Sequence, residues 1–116
     1  MSTTEDVLDH HLNAFESQDI EAVMADYDED SVVVAQMETY RGLDEIRGLF
    51  SGLFEEFGQA GTEFVLDEKL VEGAHGHIIW HADTPDNEYE FATDTFHIPG
   101  EIIELQTFAG VITPKA

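Results

Sequence analysis

Cysteine is absent from the sequence, which excludes disulfides and thiolate chemistry together. Basic residues are nearly as scarce: Arg41, Arg47, Lys69 and Lys115 are the whole set, and they form no stripe. Phosphate backbones and anionic membranes are gripped by clustered Lys and Arg, so neither nucleic acid nor a membrane is expected as a partner. No run approaches the roughly 20 apolar residues of a membrane-spanning helix. The N-terminal stretch Met1-Ser2-Thr3-Thr4-Glu5-Asp6 lacks the basic flank of a secretion signal, so a cytoplasmic protein is the expectation. There is no glycine-rich phosphate loop, no nucleotide fingerprint and no serine in a nucleophile elbow, and no cofactor is expected.

What the chain has in excess is negative charge. Against 4 Lys and Arg stand 26 Asp and Glu, a formal net charge of -22. Such a surface suits high salt, where self-repulsion is screened and solubility retained. The length of 116 residues and a 42% hydrophobic content support one domain, 1–116, with a modest core.

The period of the apolar residues changes once along the chain. Thr3 or Thr4 is placed to cap a helix from about Glu5, whose stripe is Leu8, His11, Leu12 and Phe15. Asp19 is placed to cap a second, short helix with Ile20, Val23, Met24 and Tyr27. The β-branched run Ser31 to Ala35 reads as a strand. Gly42 introduces a third helix carrying Leu43, Ile46, Leu49, Phe50, Leu53, Phe54 and Phe57, closed by Gly58. Beyond Gly61 the period becomes two, over Thr62 to Val71, His77 to Ala82, Glu88 to Ile98 and Glu101 to Ala109. The short links between these runs predict an antiparallel meander. The expected fold class is α+β, with three N-terminal helices packed on one face of a curved, mainly antiparallel sheet.

Several stretches resemble one another's counterparts in a known family: Phe15 to Val23, Tyr27 to Val32, Arg41-Gly42-Leu43-Asp44-Glu45-Ile46-Arg47, and the closing strand pair from Asp94 through Gly100 to Phe108. On these the chain resembles the SnoaL-like branch of the nuclear-transport-factor-2-like (ketosteroid-isomerase-like) superfamily. That resemblance implies a cone-shaped α+β fold and a homodimer, and leaves activity open between isomerases, hydrolases, cyclases and non-catalytic binders. By the motifs of the steroid-isomerase relatives, the late-strand acid falls on Asp94. A first-helix tyrosine is replaced by His11, and the general base is replaced by Ala35. Alanine abstracts no proton, so ordinary steroid isomerisation is not expected.

Read from the residues alone, Asp94 shares strand parity with Ala92, Phe96 and Ile98, which places a carboxylate toward a cavity, toward a firm donor as a structural acid, or toward solvent if a bulge changes the register. His11 interrupts a buried stripe, as a pocket group or as a satisfied core histidine. Trp80, Phe96 and Phe108 are candidate walls of an aromatic cavity, Phe108 equally a core residue, with Phe15 contributing and Met37 and Tyr40 at the mouth. Gln106 breaks an apolar strand, either to orient a ligand or to pair with Asp94. Arg41 attracts an anion or makes a surface ion pair. His75, His77 and His81 share parity, but the turn from Gly73 to Gly76 breaks the geometry and no metal site is expected. The expected function is binding of a small apolar molecule with a polar oxygen. The alternative is an isomerase-like or hydrolase-like enzyme using His11 and Asp94 in acid–base or oxygen-stabilising roles. Exposed aliphatic strand residues point to a homodimer through the outer sheet face.

Overall fold

The computed structural model describes residues 3–115. Met1 and Ser2, part of the stretch read above for a signal, and Ala116 lie outside the described residues. Helix α1 (Thr4–Glu16) starts at a capping box: the Thr3 hydroxyl accepts from Asp6 N and the Asp6 carboxylate accepts from Thr3 N, each at 3.1 Å. It buries Val7, Leu8, His11 and Ala14. Gln18, in the left-handed region at φ 58°, turns the chain into α2 (Ile20–Met24), where Asp19 accepts from Ala22 N at 3.1 Å. Strands β1 (Val32–Val34) and β2 (Thr39–Arg41) form a hairpin before α3 (Gly42–Phe57). Four longer strands follow: β3 (Glu63–Glu72), β4 (His75–Asp83), β5 (Asn87–His97) and β6 (Leu105–Pro114).

All strands join one sheet in the order β2-β1-β6-β5-β4-β3. Strands β3 to β6 are the expected antiparallel meander. The β1 strand closes onto β6 in parallel, with Val32 opposite Leu105 and Val34 opposite Thr107, so the sheet is mixed but mostly antiparallel. The helices pack on its inner face, where Leu8, Ile46, Phe50, Phe96, Ile98 and Ile103 are almost wholly buried. Gly76 sets how closely α1 approaches: a Cβ there would lie 2.8 Å from Leu8 Cδ2, so bare backbone on β4 lets the helix sit low. That depth carries His11 into the interior.

The expected curved, cone-shaped sheet is not what forms. The sheet is open, with β2 and β3 as free edges, and it is not strongly curved. The reason lies in its strands. Coiling a sheet into a cone needs long strands that wrap at both sides, and β1 and β2 are only 3 residues each. Register shifts at Leu66/Glu68, Trp80/Ala82 and Tyr89/Phe91 add local twist on the other side without closing it. The strands also differ in number and extent: β2 is additional, and β6 runs from Leu105 to Pro114 rather than from Glu101 to Ala109. Residues 101–104 instead run past the end of α2, where Ile103 N donates to the Asp26 carbonyl at 2.8 Å.

Candidate functional site

Between the helices and the inner sheet face lies a cavity of about 200 Å³. Helix α1 supplies His11, Leu12 and Phe15; α3 supplies Leu49, Phe50, Leu53 and Phe57; the sheet supplies the rest, including Trp80, Asp94, Phe96, Gln106 and Phe108. Ala35, just past β1, also faces it, so the position where the resemblance expects a base presents a methyl group.

Asp94 anchors the polar end. Its Oδ2 accepts from Trp80 Nε1 at 2.7 Å and its Oδ1 accepts from Gln106 Nε2 at 3.1 Å. The other end of the carboxamide, Gln106 Oε1, accepts from the Tyr27 hydroxyl. Burial pushes the Asp94 carboxyl above the ordinary carboxylate range, opposed by the hydrogen bonds from Trp80 and Gln106 and by nearby His11 and His77. Burial, reinforced by the charges of Asp94 and Asp26, raises the Tyr27 phenol well above its ordinary value and keeps it a donor.

His11 is 4% exposed and enclosed by Tyr27, Phe50 and Phe96, with ring centroids 5.4–5.8 Å away. Its buried Nδ1 has no hydrogen-bond partner and lies 3.7 Å from Asp26 Oδ2. Asp26 is itself buried, and His10 Nδ1 reaches its two oxygens at 2.8 and 3.0 Å. His11 and Asp94 therefore face one cavity without bonding each other, each held by its own set of neighbours.

Leu12, Phe15, Phe57 and Phe64 face the cavity on one side and a surface groove containing Glu16, Gln18, Thr62 and Leu66 on the other. They make an aromatic partition, with Phe15 5.6 Å from Phe57 and 6.3 Å from Phe64 between centroids. Met37 and Tyr40 stand elsewhere. Met37 is 95% exposed, and Tyr40 lines a separate surface depression, where its hydroxyl donates to Glu38 at 2.7 Å. The Arg41 guanidinium makes no ion pair among the described residues; its backbone N–H donates to Glu45 at 2.9 Å. The three strand histidines go separate ways. His75 stacks on His97, His77 Nδ1 lies 3.0 Å from the Thr95 hydroxyl, and His81 Nδ1 lies 2.7 Å from Asp67. Among the described residues no group of three His, Asp or Glu is placed to hold a metal.

Sequence reasoning missed Asp26 and the polar role of Tyr27. Asp26 lies three residues after Val23 on the buried stripe, and that spacing was the available signal. Tyr27 reads as ordinary core, because its partner Gln106 is 79 positions away.

The profile of the SnoaL-like domain family matches residues 8–103. The chain belongs to that family. It is thereby a member of the nuclear-transport-factor-2-like, ketosteroid-isomerase-like superfamily. Among proteins of curated function, none matches this SnoaL-like chain. Solved structures do. A nuclear-transport-factor-2-like protein from Burkholderia thailandensis is 22% identical with TM-score 0.81, over 96% of this chain and 92% of that one. A candidate polyketide cyclase from Sinorhizobium meliloti is 14% identical with TM-score 0.72, over 93% of this chain and 100% of that one. A candidate ketosteroid isomerase from Kribbella flavida is 11% identical with TM-score 0.77, over 97% of this chain and 78% of that one. At these identities the likeness is one of fold, which by itself assigns no activity.

Proposed function

We propose that this SnoaL-like domain binds a small, largely apolar molecule carrying one polar group, held at the Asp94 end of the cavity. The observation that carries this reading is the contrast in the cavity wall: aromatic and aliphatic on nearly every side, with the buried polar residues His11, Asp94 and Gln106 gathered within it. Ligand sites share that pattern of apolar lining with a few placed polar groups, and their usual volumes of about 300–1,000 Å³ exceed this one, so the occupant is small. Thermal-shift and calorimetric titration with a library of small aromatic and alicyclic compounds tests it. Saturable binding that Phe96→Ala abolishes is expected, and no binding by any member of the library would defeat the proposal.

A second reading, an enzyme of isomerase or hydrolase type, is favoured by His11. A buried imidazole with the Asp26 carboxylate behind one nitrogen and a cavity before the ring is an arrangement suited to proton transfer. Turnover screening of wild type, His11→Ala and Asp94→Asn decides it: equal rates in all three would reject the pair.

The assembly we propose is a homodimer through the outer sheet face. Val34, Leu70, Phe91, Leu105 and Val111 are exposed strand residues, and Phe91 and Val111 are cross-strand neighbours. Light scattering across protein and salt concentrations is the measurement, and a monomer under every condition would overturn it.

A further inference from the structure

At the polar end of the cavity the Trp80 indole N–H and one N–H of Gln106 are spent on Asp94, which keeps acceptor sites for a ligand. Trp80 Nε1 can only donate, and it donates to Asp94 Oδ2 at 2.7 Å. The Gln106 amide nitrogen donates to Oδ1 at 3.1 Å, and its oxygen is occupied by the Tyr27 hydroxyl. Indole and carboxamide thus converge on a carboxylate, with the Tyr27 phenol holding the carboxamide from behind; the carboxylate has about four acceptor sites and retains those its two donors leave unused. On the other side, His11 Nδ1 faces the Asp26 carboxylate at 3.7 Å.

The remainder of the wall agrees in sign. Eight of the lining residues are Phe, Tyr or Trp, whose π faces attract cations, and no Lys or Arg is among the lining residues. The domain as a whole carries -22, a field that concentrates cations and repels anions. A ligand carbonyl or carboxylate at the polar end would set acceptor against acceptor. An N–H group would complete Asp94, and a charge buried there would be paired.

We propose that the ligand class of this cavity is a small apolar amine bound as its ammonium ion, with N–H donated to Asp94 and the hydrocarbon packed against Trp80, Phe96 and Phe108. This rests on the pocket reading above and replaces the polar oxygen expected from the sequence with a cationic nitrogen.

The test is a matched series titrated into the full chain near neutral pH: phenethylammonium, phenethyl alcohol, phenylacetate and benzyl methyl ketone. Calorimetry gives affinities, and fluorescence of Trp80, the only tryptophan, reports occupancy of the cavity itself. Phenethylammonium is expected to bind about tenfold or more tightly than the alcohol, with the ketone and phenylacetate weaker still. Asp94→Asn should abolish the preference for the amine over the alcohol. Equal or tighter binding of the alcohol, ketone or carboxylate would overturn the amine proposal while leaving the pocket reading standing. So would an amine preference that survives Asp94→Asn, since it would arise from the acidic surface. Failure of all four compounds to perturb Trp80 would remove both. If the variant does not fold, the wild-type series with added salt takes its place: a preference that screens away would arise from the acidic surface and overturn the proposal, and one that persists supports pairing in the cavity.

Discussion

Asp94 is held by its donors at the expense of stability. Its carboxyl is raised by burial in the folded protein, so the folded state keeps this proton at pH values where the unfolded chain has released it. The stability it contributes is therefore full below the unfolded carboxylate range and is lost as pH rises through the raised folded value. Asp94→Asn removes the titration and need not break the network. Asn presents its oxygen to Trp80 and its amide nitrogen to Gln106, provided Gln106 rotates its amide and donates to the Tyr27 oxygen. We expect Asp94→Asn to melt above wild type near neutral pH, with the two curves converging as pH falls into the ordinary carboxylate range. Melting temperatures measured across that range check it; a variant that melts lower throughout would show that the network depends on the charge. How far the site was legible follows from the same residues. Asp94 and His11 announce themselves as polar breaks in apolar periodicity. Asp26 gives the same signal more weakly, at the end of a short helix, and its role comes from histidines 15 and 16 positions earlier; Tyr27 gives none, because its partner is a glutamine 79 positions away.

At the scale of elements, the end of α3 is tied to the β4–β5 turn through one side chain. Glu56 accepts from Thr84 Oγ1 at 2.7 Å, from Asn87 Nδ2 at 2.9 Å and from the Tyr89 hydroxyl at 2.9 Å. Hydrogen bonds to a charged group contribute about 1.5–3 kcal/mol each, and partial exposure of Glu56 reduces that. We expect Glu56→Ala to lose about 2–4 kcal/mol in urea unfolding, with Glu56→Gln losing less because it retains an acceptor. A loss below about 0.5 kcal/mol would place the clamp among surface contacts of no consequence. Elements with a period or a cap were readable: the capping residues Thr3 and Asp19 and the four-strand meander follow from local chemistry. Strand β2 was not, since 3 residues carry too few alternations to reveal a period. The start of β6 differs because Ile102 and Ile103 are β-branched and read as strand, yet Ile103 packs in the core with its N–H bonded to the Asp26 carbonyl. Sheet curvature depends on bulge positions and partner lengths across strands, and no single segment encodes it.

For the whole molecule, the balance of charge is unmet internally. Arg47 pairs with Glu21, Lys69 with Asp9 and Glu5, and Lys115 with Asp83, which leaves most of the 26 acidic residues uncompensated. Screening shortens the reach of that repulsion to about 10 Å at 0.1 M salt. The melting temperature should therefore rise between dilute buffer and moderate salt, before preferential exclusion contributes. A surface variant with several exposed acids neutralised, keeping His11, Asp26 and Asp94, should respond less. Equal responses at low salt would reject self-repulsion as the cause.

The partition of Leu12, Phe15, Phe57 and Phe64 has a kinetic meaning. Phe64 belongs to β3, an edge strand paired on one side only, and the β3–β4 register shifts just beyond it at Leu66/Glu68. The wall most able to yield is thus the one between the cavity and the surface groove, and for the ligand proposed above we expect exchange through fraying of that edge rather than by a hinged lid. Such local openings fall in the microsecond-to-second range. Truncating the gate should raise association and dissociation rates together and leave their ratio nearly unchanged. Stopped-flow quenching of Trp80 in Phe64→Ala is the measurement: a changed dissociation rate with an unchanged association rate would make Phe64 part of the binding surface instead. On this view residence time and affinity are set by different residues, the first by the ring at the edge strand and the second by the carboxylate at the far end.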